Sequence, residues 1–205
     1  MIKNVFFDRD GTIVVDKHYL RDAAGLELIP GAGLALGRLA ASGCKLFLVS
    51  NQSGVGRGFF PESACIECQH RLAELLRPYD ANFLGMAYCP HAPEDCCNCR
   101  KPGLGMWRTL QQNHRLDPAA CVMIGDKKED IGFGLAAGFA ACILVLTGHG
   151  RSQAELLGLP PLPPDRSWTI FDDPAAGWPH ILARDVVAAA DWILCSERPY
   201  PDQLR

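Results

Sequence analysis

The sequence predicts a single α/β domain built on a parallel sheet. Short apolar segments alternate with helix-like segments from residue 2 to residue 146, and this alternation is typical of strands joined by crossover helices. A chain of 205 residues with 48% hydrophobic residues is long enough to bury one adequate core. Polar residues follow several apolar segments directly, where parallel sheets bind their ligands. Together these observations predict a three-layer, Rossmann-like sheet with helices on both faces.

The regular elements are assigned from the spacing of apolar residues and from the residues that end each segment. Strands are predicted at residues 2–7, 44–49, 83–88, 121–124 and 141–146. Helices are predicted around residues 34–40, 61–77, 104–114 and 131–137, where apolar side chains recur at helical intervals. Gly43 and Gly138 are placed to end helices, and Pro61 is placed to begin one.

The remaining segments are predicted to be irregular. Residues 12–30 indicate a flap over the first strand end, in the form of a hairpin, and residues 53–58 a glycine-rich loop. Residues 151–183, with the sequence LPPLPP and Asp172-Asp173-Pro174, indicate a proline-rich excursion or insertion. Residues 189–194 are predicted to form a last short strand, and residues 196–205 a mobile tail. All 205 residues are assigned to one domain.

Composition and charge argue against two classes of partner. The net charge of −3 disfavours nucleic acid, which requires a basic face. No apolar run approaches the roughly 20 residues of a membrane helix, and residues 1–4 lead directly into the first strand without a signal peptide. We therefore expect a cytoplasmic protein with reduced thiols, in which the ten cysteines form no disulfide framework, and we expect a monomer.

The strongest chemical signal is the stretch FFDRDGT at residues 6–12. Asp8 and Asp10 follow the first strand, and Gly11 allows a sharp turn after them. Two carboxylates this close are unfavourable unless a cation lies between them. Mg²⁺ is the natural partner because it binds one or two carboxylates together with a substrate phosphate. A polar loop that only ends a strand is the alternative interpretation of an isolated Asp-x-Asp.

Five further polar residues lie near later strand ends or helix starts. Ser50 and Asn51 follow the second strand, where a hydroxyl and backbone amides can hold a phosphoryl oxygen. Lys101 precedes a helix and could neutralise a nucleophile and a phosphate. Asp126 and Asp130 belong to a Gly-Asp-x-x-x-Asp segment after the fourth strand. Asp126 could complete a magnesium site, whereas Asp130 could bind Lys101 or a metal-bound water. Taken alone, a serine after a strand is more typical of a turn and a lysine is more typical of the solvated surface, and a single Gly-Asp after a strand is weak evidence.

A cysteine cluster gives a second signal. Cys89 and His91 form a Cys-x-His pair, and Cys97 and Cys99 form a Cys-x-Cys pair shortly afterwards. Four ligands of this kind suit a tetrahedral Zn²⁺ ion, and a site with no open position is structural. Cys96 could replace Cys97 as a ligand. Reduced loop thiols without a metal are the alternative.

The four polar elements resemble, in order and in strand context, the motifs of the haloacid dehalogenase superfamily of aspartyl-phosphate phosphatases. The resemblance implies that Asp8 attacks phosphorus and that Asp10 acts as general acid and then as general base. It also implies that Mg²⁺ is held by Asp8, Asp126 and the backbone carbonyl of Asp10. Lys101 would offset the negative charge of the nucleophile and the phosphate, while Ser50 would hold a phosphoryl oxygen and Asp130 would support the site.

A narrower resemblance rests on DRDGT, SNQSGVGRG, the C-x-H and C-x-C-R-K-P zinc segment, and GDKKED. These segments are similar to the D,D-heptose 1,7-bisphosphate phosphatase family, a branch without a cap domain close to the histidinol-phosphate phosphatases. The resemblance implies a small phosphorylated metabolite as substrate and removal of the C7 phosphate on the route to nucleotide-activated heptose for surface polysaccharide. Histidinol phosphate is the alternative substrate. A receiver domain and a non-catalytic zinc module are further alternatives. A receiver domain needs neither Asp10 nor the zinc segment, and a zinc module does not explain the polar residues at the strand ends.

Without a cap domain, loops at the strand ends must recognise the rest of the substrate. Arg57 in the glycine-rich loop and Arg100 between Cys99 and Lys101 are the cationic candidates, because a guanidinium group binds phosphate or hydroxyl oxygens through its planar fork. We therefore expect Arg57, Arg100 and Asn51 to bind substrate, with the two arginines on the non-reacting part of a bisphosphorylated sugar. Solvated surface arginines are the alternative.

Overall fold

A computed structural model of the chain describes residues 2–171 and 177–196. Seven strands form one sheet within these residues. In chain order they are β1 (Asn4–Phe7), β2 (Lys45–Asn51), β3 (Phe83–Cys89), β4 (Cys121–Gly125), β5 (Ala141–Val145), β6 (Trp168–Ile170) and β7 (Ile181–Ala183). Their order across the sheet is β3-β2-β1-β4-β5-β7-β6. All neighbouring pairs are parallel except β6 and β7, so the predicted parallel sheet is confirmed.

Seven α-helices accompany these strands in the described part of the chain. They are α1 (Ala32–Ala41), α2 (Ser53–Gly56), α3 (Glu62–Leu76), α4 (Gly105–His114), α5 (Lys128–Ala137), α6 (Gly150–Leu156) and α7 (Val186–Ser196). The helices predicted around residues 34–40, 61–77, 104–114 and 131–137 correspond to α1, α3, α4 and α5. Of the described helices, none has both the length and the apolar character that a membrane span requires.

The sheet separates two hydrophobic cores, which gives the predicted three layers. Successive strand side chains point to opposite faces, so Val5 and Phe7 enter one core whereas Phe6 enters the other. Buried residues of α1, α3 and α7 complete the core around Phe7, and buried residues of α4, α5 and α6 complete the core around Phe6. Both faces of the sheet are covered, which is the usual arrangement of parallel sheets.

The pairing register brings three strand ends to one place. Phe7, the last residue of β1, is in register with Leu48 of β2 and Ile124 of β4. The backbone N–H of Asp8 extends this pairing by donating to the carbonyl of Ile124 at 2.9 Å. Residues that directly follow β1, β2 and β4 therefore converge at the carboxyl edge of the sheet.

The strand predicted for residues 189–194 is wrong, because these residues belong to helix α7. Val186, Ala189, Ala190 and Ile193 are buried, and their spacing of three and four residues places them on one helical face. Short apolar runs do not distinguish a buried strand from a buried helix. The last parallel strand is instead the three-residue β7, which pairs with β5.

The excursion predicted for residues 151–183 is more regular than its proline content indicates. It begins within α6 and contains β6 and β7, which form an antiparallel edge beyond β5. Asp172, Asp173 and Pro174 lie outside the described residues, as does nearly all of the tail predicted for residues 196–205. The assignment of the whole chain to one domain stays a prediction.

Two other loop predictions need adjustment. Residues 53–58 contain the one-turn helix α2, so they are not entirely loop. Residues 12–30 contain a short 3₁₀ helix at Ala23–Gly25 and a single antiparallel bridge between Val14 and Leu28. The flap is therefore hairpin-like, but a single antiparallel β-bridge joins its two arms in place of a longer run of paired residues.

Candidate active site

The centre of the site is a buried ion cluster around Lys101. Its Nζ lies 2.6 Å from Oδ1 of Asp8 and 2.6 Å from Oδ1 of Asp130, and it donates to the carbonyl of Val49 at 2.7 Å. These contacts use all three protons of the ammonium group. Burial acts to lower the pKa of Lys101, but the carboxylates of Asp130 and Asp8 raise it overall. Lys101 is therefore a fixed cation beside the predicted nucleophile.

Asp130 is held from two sides. Its Oδ1 contacts Lys101, and its Oδ2 accepts from the backbone N–H of Lys127 at 3.0 Å, at the start of α5. A carboxylate in the first turn is also favoured by the helix dipole. The supporting role predicted for Asp130, with Lys101 as its partner, agrees with this geometry.

Asp10 is oriented by two side chains that sequence analysis did not identify. Arg9 donates to its Oδ2 from Nε at 3.0 Å and from Nη2 at 2.9 Å, and Gln52 Nε2 donates to the same oxygen at 2.8 Å. Gln52 Nε2 also lies 2.7 Å from Oγ of Ser50. Arg9 is almost completely buried, so it acts inside the protein and positions Asp10 next to Asp8.

The side chain of Asn51 forms hydrogen bonds with the backbone of Lys101. Its Oδ1 accepts from the N–H of Lys101 at 2.9 Å, and its Nδ2 donates to the carbonyl of the same residue at 3.2 Å. The end of β2 is thereby tied to the segment that carries the lysine. The described contacts of Asn51 support a positioning role, whereas the substrate contact predicted for it stays a prediction.

Asp126 lies in a narrow space between two backbone turns. It is fully buried, and its Oδ2 accepts from the backbone N–H of His149 at 2.8 Å. Gly11 (φ 88°) and Gly148 (φ 54°) have left-handed backbones, and a Cβ atom on either would collide with the Asp126 carboxylate. Thr147 Oγ1 joins the two turns by donating to the carbonyl of Gly11 at 2.6 Å. Only glycine fits at these two positions.

The carboxylates of Asp8, Asp126 and Asp130 could hold a metal ion, because they offer oxygen atoms within 4.8 Å of one another. Among the described residues, Oδ1 of Asp126 finds no hydrogen-bond partner, and Nζ of Lys127 is 3.9 Å away. Burial, followed by the nearby charge of Asp8, raises the pKa of Asp126 to about 8, and burial likewise raises the pKa of Asp8. A buried carboxylate oxygen without a donor fits a hard divalent cation.

The predicted zinc ligands lie together. Cys89, His91, Cys97 and Cys99 offer ligand atoms within 4.8 Å of one another, including 3.1 Å between the Sγ atoms of Cys99 and Cys89 and 3.2 Å between His91 Nδ1 and Cys99 Sγ. Cys96 is exposed and lies outside this group. The group could bind zinc, and Cys97, not Cys96, belongs to it.

The thiols of this group differ in acidity. Burial and the neighbouring thiol of Cys99 raise the pKa of Cys89. Desolvation acts to raise the pKa of Cys97, but the backbone N–H of Arg100 and the neighbouring thiols lower it to about 7. A thiolate is the form that binds metal, so the lowered pKa of Cys97 is compatible with a ligand role.

A cavity of about 220 Å³ opens next to Asp10. Its lining combines residues that follow β1, β2 and β4 with the flap and the β5–α6 turn, and consists of Arg9, Asp10, Asp16, His18, Tyr19, Leu20, Gln52, Ser53, Gly54, Lys127 and His149. Arg57 and Arg100 are not part of this lining. Arg57 instead pairs with Glu94 at 3.2 Å, whereas Nη1 of Arg100 is buried and finds no hydrogen-bond partner among the described residues.

Sequence reasoning missed three polar side chains of the site, namely Arg9, Gln52 and Lys127. Arg9 stands between the two aspartates, and Lys127 directly follows Asp126. A basic residue next to a cluster of carboxylates is a usable signal, because the cluster needs compensating charge. Gln52 gives no such signal, since a neutral glutamine carries no charge that the carboxylates would require.

Comparisons with known proteins agree with this geometry. A family model described as HAD-hydrolase-like matches residues 98–173, which include Lys101, Asp126 and Asp130. The crystal structure of a D,D-heptose 1,7-bisphosphate phosphatase from B. bronchiseptica, complexed with magnesium and phosphate, covers 95% of this chain and 99% of its own, with a TM-score of 0.80 and 28% identity. The fold and the site thus define a phosphomonoester hydrolase of the haloacid dehalogenase class.

Curated relatives give the family within this class. The D-glycero-beta-D-manno-heptose-1,7-bisphosphate 7-phosphatase of Haemophilus ducreyi is 37% identical over 167 residues, covering 76% of this chain and 92% of the relative. The protein of the same name from Vibrio cholerae is 39% identical over 188 residues, covering 88% and 96%. The chain therefore belongs to the D-glycero-D-manno-heptose-1,7-bisphosphate 7-phosphatase family, which favours the heptose prediction over the histidinol-phosphate alternative.

Proposed function

We propose that this enzyme removes the C7 phosphate from D-glycero-D-manno-heptose 1,7-bisphosphate, on the route to nucleotide-activated heptose. The observation that carries the proposal is the pair of aspartates at the end of β1. Asp8 is held against Lys101, and Asp10 is held by Arg9 and Gln52, in a chain whose relatives are named for this reaction. We further propose that the enzyme is a cytoplasmic monomer, and size-exclusion chromatography with light scattering would test the oligomeric state.

In the first step, a carboxylate oxygen of Asp8 attacks phosphorus, and the bond between phosphorus and the C7 oxygen breaks. Asp10 donates its proton to that oxygen, so the sugar leaves as an alcohol. Lys101 stays protonated throughout and stabilises the negative charge on the attacking carboxylate and the phosphoryl group. Ser50 and the backbone amides after β2 are proposed to hold phosphoryl oxygens.

In the second step, water attacks the phosphorus of the aspartyl phosphate. Asp10, now ionised, accepts a proton from this water, and the bond between phosphorus and the Asp8 oxygen breaks. Phosphate leaves, Asp8 is restored as a carboxylate and Asp10 is protonated again. One residue therefore serves as acid and then as base, which requires the fixed orientation that Arg9 and Gln52 provide.

Asp8, Asp126 and the backbone carbonyl of Asp10 are the groups proposed to hold Mg²⁺. The donor-free Oδ1 of Asp126 supports this assignment, and Asp130 remains bound to Lys101 and to the N–H of Lys127. When bound, Mg²⁺ would neutralise charge on the phosphoryl group and the nucleophile.

Zn²⁺ is proposed to order the segment from Cys89 to Cys99 without taking part in the reaction. Four protein ligands leave no open position, and this segment leads directly into Arg100 and Lys101. Purified protein should contain one zinc ion in this group, and Cys99→Ser should lose it together with activity that Mg²⁺ alone does not restore. Zinc retained in full by this variant would contradict the assignment.

Arg100 and Arg57 are proposed to bind the phosphate on C1. The buried, unpartnered Nη1 of Arg100 supports its assignment, because a buried guanidinium donor without an acceptor is unfavourable unless a ligand supplies one. Arg57 has the weaker support, since its guanidinium already faces Glu94.

The decisive experiment compares phosphate release from heptose 1,7-bisphosphate and histidinol phosphate under the same Mg²⁺ concentration. We expect kcat/KM to favour the heptose substrate by at least about 100-fold, because a site built for two phosphates leaves polar groups unpaired with a substrate that has one. ³¹P NMR should show that the remaining phosphate is on C1. Equal kcat/KM values for the two substrates would contradict the proposal. The variant Asp8→Asn is the negative control for phosphate released without the enzyme's own reaction.

A further inference from the structure

Three metal-binding side chains next to the catalytic aspartates take no step in the proposed reaction. Asp16 and His18 lie on the flap that follows β1, and His149 lies on the turn between β5 and α6. Their ligand atoms, one carboxylate oxygen and two imidazole nitrogens, all lie within 4.8 Å of one another. They line the cavity next to Asp10, so solvent and ions can reach them.

The group is partly organised already. Nε2 of His149 lies 3.1 Å from Oδ2 of Asp16, and the ring centroids of His18 and His149 are 6.1 Å apart. The other oxygen of Asp16 accepts from the backbone N–H of His18 at 2.9 Å. This bond fixes the direction of the carboxylate, as the outer hydrogen bonds of metal ligands commonly do.

We propose that Asp16, His18 and His149 form a second metal site that binds a divalent transition metal of the zinc or nickel class. Two imidazoles and one carboxylate suit such ions, whereas Mg²⁺ and Ca²⁺ prefer a full set of oxygen ligands. Three protein ligands leave positions for water. Zinc ligands about 2 Å from the ion are about 3.4 Å apart in tetrahedral geometry, a distance that small rotations of these side chains can reach.

Lys127 is the cation that competes for this position. Its Nζ lies 3.8 Å from Oδ2 of Asp16 and 3.9 Å from Oδ1 of Asp126. The carboxylates of Asp8 and Asp130 also act on Lys127, so a metal on Asp16 does not leave the ammonium group without a nearby counter-charge. The lysine therefore weakens metal binding at Asp16 without preventing it.

Metal in this site would strengthen the link between the flap and the β5–α6 turn, which already meet through Asp16 and His149. Both segments contribute to the cavity wall. The backbone N–H of His149 also donates to Asp126. Metal binding that holds His149 in place would therefore also hold the carboxylate of Asp126 in place.

The test uses Zn²⁺ as the probe and the complete enzyme in millimolar Mg²⁺, which keeps the catalytic site occupied. Equilibrium dialysis followed by elemental analysis gives the number of zinc ions per chain. His18→Gly preserves the left-handed backbone at this position (φ 48°), and His149→Ala preserves the backbone donor to Asp126. His70→Ala, which changes an exposed histidine on α3, is the matched control.

We expect the wild-type enzyme and His70→Ala to bind one more zinc ion per chain than either His18→Gly or His149→Ala. Circular dichroism and thermal melting must show that both variants are folded. Equal zinc content in all four proteins would overturn the proposal, and so would the loss of more than one zinc ion in folded variants. Because the readout is a count of metal ions, it is independent of whether the proposed substrate is correct.

Discussion

The buried catalytic layer and the exposed loops above it are built in opposite ways. In the catalytic layer, the side chains of Lys101, Asp8 and Asp130 are only 1%, 8% and 2% exposed. Above it, Arg57 and Glu94 form an ion pair with exposures of 34% and 68%. Removing one member of a buried ion cluster costs several kcal/mol, whereas an exposed pair contributes about 0–1 kcal/mol. Substitutions in the buried cluster should therefore affect folding more than substitutions at the exposed pair of Arg57 and Glu94.

Asp8→Asn should give the largest effect, at the centre of the buried layer. We expect turnover to fall by at least about 10⁴-fold, because an amide is a poor nucleophile at phosphorus. Acid quenching of the reaction should trap phosphoenzyme from the wild type and none from the variant. Asp80→Asn, on an exposed turn, is the control, and phosphate release by Asp8→Asn at the wild-type rate would exclude the covalent mechanism.

Asp10→Asn should lower turnover of an alkyl phosphate by about 10²–10⁴-fold, the usual contribution of a general acid or base. An aryl phosphate should be less affected in its first step, since its phenolate leaves more readily without a proton. Phosphoenzyme should therefore accumulate with the aryl substrate, as measured by acid quenching. Equal losses in the first step for both substrates would show that Asp10 does not protonate the leaving group.

Removal of Mg²⁺ should make the stability of the buried layer depend on pH. Burial and Asp8 raise the pKa of Asp126 from 3.8 to about 8, so between these values the folded protein holds more protons than the unfolded chain. The free energy of unfolding of the Mg²⁺-free protein should therefore fall as pH rises through this interval.

Urea denaturation from about pH 5 to about pH 8 measures how steeply the free energy of unfolding falls with pH. Added Mg²⁺ should restore stability most at the alkaline end, where Asp126 is ionised. Asp126→Asn should show a smaller slope, and an unchanged slope in this variant would assign the pH dependence to other groups.

Arg100→Ala should change recognition and leave the chemistry intact. We expect kcat/KM for heptose 1,7-bisphosphate to fall by the equivalent of about 1–3 kcal/mol, the scale of a charged hydrogen bond. Turnover of a small aryl phosphate should change little. Arg108→Ala, on the exposed side of α4, controls for loss of one positive charge, and equal losses for both substrates would contradict the assignment.

Arg57→Ala should have the smallest effect, below about 1 kcal/mol in kcat/KM for the bisphosphate. The sequence predicts that Arg57 binds the substrate together with Arg100, with a solvated surface arginine as the alternative, and the contact of Arg57 with Glu94 reduces the effect expected. The variant Glu94→Gln, measured alongside, should leave the rate unchanged or slightly raised because it releases the guanidinium. A loss for Arg57→Ala as large as that for Arg100→Ala would restore the original expectation.

The convergence of the candidate catalytic carboxylates could be predicted because their positions depend mainly on the backbone. Asp8 and Asp126 directly follow apolar strands, and the ends of parallel strands meet at one edge whatever the side chains do. Arg9 and Gln52 act through the direction of long side chains, which strand periodicity does not specify. Their contacts with Asp10 therefore became visible only in three dimensions.

The C-terminal region was harder to predict for a different reason. Helix α7 is rich in alanine and other apolar residues, so a six-residue window resembles a buried strand. The true strand, β7, has three residues and follows a proline-rich stretch. Its identity as a strand comes from pairing with β5, which is a long-range interaction that local sequence does not report.

The hydrogen bond from the backbone N–H of His149 to Oδ2 of Asp126 also makes one amide proton a reporter of the active site. Its NMR chemical shift depends on whether that carboxylate is protonated, ionised or shared with a cation. Its exchange with deuterated solvent should slow when the turn between β5 and α6 is held in place. Occupancy of the catalytic centre could thus be followed in a single resonance, without substrate and without turnover.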